Sequence, residues 1–166
     1  MWRFGAVPQL VVGGGGHVAA ATVRLASLLG LPVLAIDDRE EYAQQLRDAG
    51  ADIVLCLPFE QALKPVPGSA DTYFIVVTRA HAFDVICLEQ ILRKPAAYVG
   101  MMGSRGRSAL VRRQLLEKGL EEKRVEALYA TIGLSIGSQT AEAIALSILA
   151  PVDSIQTAPS QTEGCY

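Results

Sequence analysis

The chain has 166 residues, 51% of them hydrophobic and 19% charged, with a mean hydropathy of +0.30 and a formal net charge of −2. This composition fits a single globular domain and excludes a disordered chain, and the charge gives no reason to expect nucleic acid or an anionic membrane as a partner. Three scattered cysteines without a Cys-x-x-Cys pair predict neither a zinc site nor a disulfide framework, and the lack of a leader peptide or a long apolar run predicts a cytoplasmic protein.

Short apolar segments alternate with longer helical patterns along the chain. Five segments predict β-strands, at residues 9–13, 32–36, 52–57, 73–77 and 97–101. Segments with helical spacing or capping signals predict helices at residues 16–29, 39–49, 81–92, 104–118 and 141–150, with one helical turn at 59–63. A short apolar segment lies at 132–137, and residues 152–166, rich in Ser, Thr, Gln and Pro, predict a disordered tail.

This alternation predicts an α/β fold, a Rossmann-like doubly wound parallel sheet in a three-layer α/β/α arrangement, formed by residues 1–151. Strands that are apolar throughout are typical of parallel sheets, because helices cover both faces. Right-handed crossovers then give the strand order 3-2-1-4-5. In such sheets ligands bind beyond the carboxyl ends of the strands, so the polar residues at these ends form the candidate site.

The first predicted strand continues into a glycine-rich turn that fits the pattern Gly-x-Gly-x-x-Ala and consists of Gly14, Gly15, Gly16, His17, Val18 and Ala19. In this pattern the first glycine permits the tight turn, the second lets a phosphate approach the backbone, and the small alanine lets the helix pack closely. The free N–H groups at the helix start favour an anion. The turn therefore predicts a nucleotide phosphate site, with an empty, vestigial cleft as the alternative.

An acidic residue follows the second predicted strand at the distance expected for ribose recognition. Asp37 comes roughly 20 residues after the first glycine of the turn, and Asp38 and Arg39 follow it directly. A carboxylate at this position favours NAD, whereas Arg39 could pair with the 2′-phosphate of NADP. The predicted cofactor is therefore NAD or NADP.

Two further strand ends carry polar residues. Thr78 and His81 follow the fourth predicted strand, and Gly103, Ser104 and Arg105 follow the fifth. His81 could carry a proton or donate to a ligand, or it could bond only to backbone at its helix start. Ser104 and Arg105 form a second candidate anion site, although the serine could simply cap the helix. The sequence designates no catalytic residue and no set of metal ligands.

Other charged residues near these ends are expected to have structural roles. Asp84 lies in the first turn of the helix after the fourth strand, where a carboxylate interacts favourably with the helix dipole. Four arginines of the following helix do not share one face, so most are expected to be solvated; they are Arg105, Arg107, Arg112 and Arg113.

Five segments together resemble the C-terminal Rossmann domain of the XdhC/CoxI family, the accessory proteins of xanthine dehydrogenase and related molybdenum hydroxylases. The resemblance covers the chain from Gln9 to Ala150. The segments are GGGHVA (14–19), IDDREEYA (36–43), VVTRAHAFD (76–84), AAYVGMMGSRGR (96–107) and IGLSIGSQTAEAIALSILA (132–150).

The resemblance implies an accessory, chaperone-like factor and not an enzyme. Members of the family are thought to bind molybdenum cofactor, protect it while its sulfur ligand is installed, and deliver it to an apo molybdenum hydroxylase of the xanthine dehydrogenase type. Gly14, Gly16 and His17 would contact the ligand's phosphates and Asp37 its ribose. Molybdopterin itself carries a phosphate, so the cofactor could occupy the same cleft as cargo.

The chain departs from the family pattern at two positions and in its extent. Arg79 stands where members often have histidine, and Ser135 where they often have aspartate. These changes remove an imidazole and a carboxylate that a metal or acid–base role would use. Typical members also carry an N-terminal domain with its own cysteine. Either a second polypeptide supplies that domain, or this chain performs only the nucleotide-binding part.

Two other functions are compatible with the same residues. A small NAD(P)-dependent oxidoreductase is one, although no separate substrate domain and no Tyr-x-x-x-Lys pair is visible. A nucleotide-sensing module that regulates a partner is the other. The high apolar fraction also predicts a homodimer.

Overall fold

The computed structural model describes residues 9–130 and 140–157. Five strands form one parallel sheet in the order β3-β2-β1-β4-β5, as predicted. In the register, Val12 of the central strand pairs with Ala35 on one side and Ile75 on the other. The strands are β1 Leu10–Gly13, β2 Val33–Ile36, β3 Ile53–Leu55, β4 Tyr73–Val76 and β5 Tyr98–Met101.

In the part of the chain that the structure describes, seven helices connect and flank the strands: α1 His17–Leu28, α2 Glu40–Asp48, α3 Phe59–Leu63, α4 His81–Ile91, α5 Arg105–Glu117, α6 Glu122–Glu126 and α7 Ala141–Thr157. The short helix α6 was not predicted, because four of its five residues are charged, they show no periodicity, and only Val125 is buried. Helix α7 passes through Pro151 and ends at Thr157, so it includes the first residues of the predicted tail.

Apolar side chains cover both faces of the sheet, which gives the predicted three layers. Alternate strand residues point to opposite faces: Val11 and Phe74 pack with α3, α4, α5 and α6, whereas Leu10 and Ile75 pack with α1, α2 and α7. Every residue of β1, β2, β4 and β5 is buried. The Rossmann-like α/β fold is therefore confirmed.

Some predictions concern parts of the chain outside the described residues. They are the apolar segment 132–137, which includes Ser135, and the tail beyond residue 157. Within the described ranges, no helix combines the length and the apolar character needed to cross a membrane.

Candidate functional site

The glycine turn lies at the carboxyl end of β1, between the ends of β2 and β4. The N–H of Gly14 donates to the carbonyl of Ile36 at 2.8 Å, and the N–H of Val77 donates to the carbonyl of Gly13 at 2.9 Å. Gly14 has φ +125°, and a Cβ on it would collide with the carbonyl oxygen of Val77. A residue with a side chain cannot occupy this position without moving the end of β4.

The position of Gly16 is open, whereas that of Gly14 is crowded. The φ of −70° at Gly16 suits any residue, and a Cβ built on it would have no atom of residues 9–130 or 140–157 within 4 Å. It is the N-cap of α1, and no side chain caps this helix start. The N–H groups of the first helical turn have no partner within the helix. An anion that approached this open space would meet these donors and the positive end of the helix dipole.

Gly15 is required by the residues packed under the turn. A Cβ at this position would lie 2.8 Å from Cβ of Tyr42 and 3.0 Å from a carboxylate oxygen of Asp37. The side chain of Asp37 is only 1% exposed. The acid predicted to bind a ribose therefore lies against the backbone of the glycine turn.

Arg39 occupies both oxygens of Asp37. Its Nε donates to Oδ1 at 2.9 Å and its Nη2 donates to Oδ2 at 3.1 Å, and its backbone N–H adds a third bond to Oδ1 at 2.9 Å. The hydrogen bond with this carboxylate raises the pKa of Arg39 above its ordinary value. The guanidinium also lies 3.5 Å from the ring centroid of Tyr42. With its side chain 33% exposed, Arg39 is much more accessible than Asp37.

A second arginine–aspartate pair connects the two halves of the sheet. Arg79, after β4, donates through Nη1 and Nη2 to the two oxygens of Asp38, after β2, at 2.9 and 3.1 Å. Because β1 lies between β2 and β4, the pair crosses the carboxyl end of β1. The bond from Arg79 is the largest influence on the pKa of Asp38 and lowers it. Phe83 supports the guanidinium at 4.0 Å from its ring centroid.

A buried network connects the ends of β4 and β5. Asp84, which has no exposed surface, accepts from the Thr78 hydroxyl at 2.6 Å and from Nε of Arg107 at 2.6 Å. Arg107 also donates from Nη2 to the carbonyl of Thr78 at 3.1 Å. Burial raises the pKa of Asp84, and the bonds from Thr78 and Arg107 oppose this effect. The network fixes the starts of α4 and α5 relative to each other.

The second candidate anion site is built around this network. Ser104 caps α5 by accepting from the backbone N–H of Arg107 at 3.1 Å. Gly103 leaves room for the stem of the same arginine, because a Cβ there would lie 3.1 Å from its Cδ. Arg105 is exposed on the first turn of the helix. Thr78, Gly103 and Ser104 thus come together through Arg107.

Two of the four arginines expected to be solvated are bonded inside the protein. Arg107 is held by Asp84, and Arg112 donates through Nη2 to the carbonyl of Leu128 at 2.7 Å. The expectation of solvent exposure was wrong for these two, because it considered only the helix face and not partners distant in sequence. A buried Asp84 needs a cation, but the sequence alone does not identify which arginine reaches it.

We expect Asp84→Asn to lower the free energy of unfolding by about 3 kcal/mol, because the change leaves the Arg107 guanidinium without its charged partner. Urea denaturation of both proteins measures the difference. Asp48→Asn is the matched control, since this carboxylate on α2 is exposed and accepts a hydrogen bond from Gln44 on the same helix. It should stay within about 0.5 kcal/mol of the wild type. Equal stability of the Asp84 variant and the wild type would show that the network does not hold the two helix starts.

The remaining predicted residues are more dispersed. His17 is exposed and lines a groove of about 350 Å³ with residues of α2 and α7, including Asp48 and Glu142. Val18 packs partly against the core. His81 is exposed at the first position of α4. A role for either histidine in ligand contact stays a prediction.

Another cavity, of about 480 Å³, lies beside β5 and α6 and not at the glycine turn. Its two cations are committed to backbone carbonyls: Lys94 donates to Val66 at 2.6 Å, and Arg124 donates to Leu92 at 3.1 Å. We therefore regard the glycine turn as the better candidate site. Among residues 9–130 and 140–157, no group of three or more His, Cys, Asp and Glu side chains could hold a metal ion.

Comparison with known proteins identifies relatives along nearly the whole chain. A family model described as the XdhC Rossmann domain matches residues 10–152. YqeB of Escherichia coli (strain K12), described as uncharacterized, is 32% identical over 146 residues, which are 87% of this chain and 27% of YqeB.

Solved structures agree with this result. A xanthine dehydrogenase from Bacillus halodurans superposes with a TM-score of 0.76 at 26% identity, over 93% of this chain and 44% of the other. An imine reductase variant from Myxococcus stipitatus in complex with NAD⁺ superposes with a TM-score of 0.51 at 16% identity, over 90% of this chain and 52% of the other, and shares the fold alone. The chain thus spans about a quarter of YqeB and less than half of the Bacillus protein.

Proposed function

This chain belongs to the XdhC Rossmann-domain family, and on that premise we propose that it is an accessory factor that binds a nucleotide-type phosphate at its glycine turn and serves the maturation of a molybdenum hydroxylase. The observation that carries the proposal is the open space at Gly16, where the uncapped start of α1 presents its N–H groups. A phosphate fits such a position without displacing a side chain.

Two ligands have the required phosphate. A dinucleotide, NAD or NADP, would place its pyrophosphate at the start of α1, and the likeness in fold to an NAD⁺-bound imine reductase is compatible with this. Molybdenum cofactor, as cargo, would bring the phosphate of its pterin or an attached nucleotide. The guanidinium groups of Arg39 and Arg79 lie at the adjacent strand ends and would add cations around the ligand.

The proposed partners follow from the family. The cargo would pass to an apo hydroxylase of the xanthine dehydrogenase type, and the high apolar fraction of the chain supports a homodimer. In this process the residues described above bind and orient the cofactor. In the two ion pairs around the cleft, Asp37–Arg39 and Asp38–Arg79, each guanidinium has N–H donors beyond the two that bind its carboxylate, and these donors would contact a phosphate.

Cofactor retention tests the proposal. The purified protein is mixed anaerobically with cofactor freshly released from a molybdoenzyme, the mixture is ultrafiltered, and the retained pterin is quantified with and without excess NAD⁺ or NADP⁺. We expect saturable retention, with dinucleotide competition if both ligands share the cleft. Dinucleotide binding without pterin retention would contradict cargo handling by this chain. Steady oxidation of a reduced nicotinamide with a carbonyl or imine substrate would instead favour an oxidoreductase.

A further inference from the structure

The contacts of Arg39 indicate which kind of phosphate ligand the cleft binds. This inference rests on the proposed phosphate site. We infer that the cleft selects ligands that carry a phosphate monoester at the end of β2, and that Arg39 is the residue that recognises this group. The 2′-phosphate of NADP⁺ and the terminal phosphate of molybdopterin are the two sources of this chemistry.

Asp37 is poorly placed to recognise a ribose hydroxyl. A hydroxyl donor needs a free and accessible lone pair: Oδ1 already accepts two hydrogen bonds, and Oδ2, which accepts one, lies under Gly15. The side chain is 1% exposed and lies against Gly15. A ribose could reach the carboxylate only if Arg39 moved away, which would exchange a charge-assisted pair for a weaker neutral donor.

Arg39, in contrast, is both fixed and available. A guanidinium has five N–H donors, and the fork to Asp37 engages one on Nε and one on Nη2. Both donors of Nη1 and one of Nη2 remain in a side chain that is 33% exposed. The carboxylate and the Tyr42 ring hold the guanidinium plane in place, so little side-chain entropy is lost when a ligand binds.

The surrounding charges permit a dianion at this position. The neighbouring carboxylate, Asp38, would repel a phosphate, but the two-point contact with Arg79 compensates its charge. A neutral 2′-hydroxyl would gain nothing from Arg39 beyond an ordinary hydrogen bond. A phosphate monoester gains a charge-assisted bidentate contact, which is the geometry that arginine favours.

The test compares ligands that differ only by this phosphate. Calorimetric titrations with NADP⁺ and NAD⁺, and with 2′,5′-ADP and 5′-AMP, give the ratio of affinities. We expect each 2′-phosphorylated ligand to bind at least tenfold more tightly than its partner. Arg39→Ala should reduce this ratio to near one. Arg47→Ala, an exposed arginine of α2, should keep the ratio.

A second variant controls for a folding defect, because Arg39→Ala leaves the buried Asp37 carboxylate without a charged partner. Arg39→Lys keeps a cation for this carboxylate but lacks the planar fork, so it should lose most of the preference while remaining folded. If 2′,5′-ADP displaces retained pterin better than 5′-AMP does, and Arg39→Lys retains less pterin, the cofactor phosphate is the natural source and the inference is supported.

The outcomes separate this inference from the proposed function. Equal affinities for NAD⁺ and NADP⁺, with pterin retention unaffected by Arg39→Lys, would overturn the phosphate preference and leave the nucleotide site standing. If a folded Arg39 variant loses affinity for NAD⁺ and for NADP⁺ by the same factor, the phosphate preference is also overturned. If neither the nucleotides nor the pterin bind the wild type, both the phosphate preference and the proposed function are overturned.

Discussion

Gly14→Ala is expected to lower the free energy of unfolding by at least about 3 kcal/mol, a large part of the total for a domain of this size. Two costs add. The backbone at φ +125° is strained for any residue with a Cβ, and the new methyl group would overlap the carbonyl group of Val77. That carbonyl belongs to the backbone beside the central strand, so it cannot turn aside as a flexible side chain could.

Urea denaturation followed by circular dichroism measures this loss, and the transition midpoint should move to a markedly lower concentration with an unchanged slope. Gly106→Ala is the matched control, because a Cβ there has no neighbour within 4 Å and its φ is not positive. Near-equal stability of the Gly14 variant and the wild type would mean that the turn adopts a different conformation from the one described.

Gly16→Val is expected to weaken phosphate-ligand binding at least about 100-fold with the fold intact. The valine side chain would enter the open space at the start of α1, and an excluded phosphate would lose two or more charge-assisted bonds of about 1.5 kcal/mol each, with tenfold in affinity for every 1.4 kcal/mol. The backbone at φ −70° accepts a side chain, and the cost at the N-cap is about 1 kcal/mol.

Titration of the variant with NADP⁺ and the pterin-retention measurement both test this expectation, after circular dichroism has shown a folded protein. Gly106→Val is the control for valine introduced at an exposed glycine near a helix start, and it should bind as the wild type does. Wild-type affinity in a folded Gly16 variant would remove the turn from the binding site.

Together the two substitutions separate structure from binding within three residues. The fold requires Gly14 because its position is crowded, whereas the proposed binding role of Gly16 rests on the open space beside it. A nucleotide-binding turn predicts this difference, since one glycine makes the bend and the other leaves room for the ligand. A turn kept only for structural reasons would not need an empty position at Gly16.

The fold could be predicted from patterns in the sequence alone. The apolar strands and the Gly-x-Gly-x-x-Ala turn predicted the sheet order and the place of the turn after β1, and five segments predicted the family. These properties are local: periodicity and turn chemistry act over a few residues, so a pattern in the chain is enough to reveal them. The same reasoning missed α6, whose five residues are anchored mainly by the burial of Val125.

The pairing of arginines with aspartates, in contrast, became visible in the tertiary structure. Asp37 was predicted to face a ribose, but Arg39 engages it under the turn; Arg79 crosses to Asp38, 41 residues away in the chain. A buried or half-buried carboxylate pairs with a cation that packing brings within about 3 Å. For Asp38 and Asp84 this cation comes from a distant part of the chain, so it depends on strand order and helix placement, whereas Arg39 is two residues from Asp37.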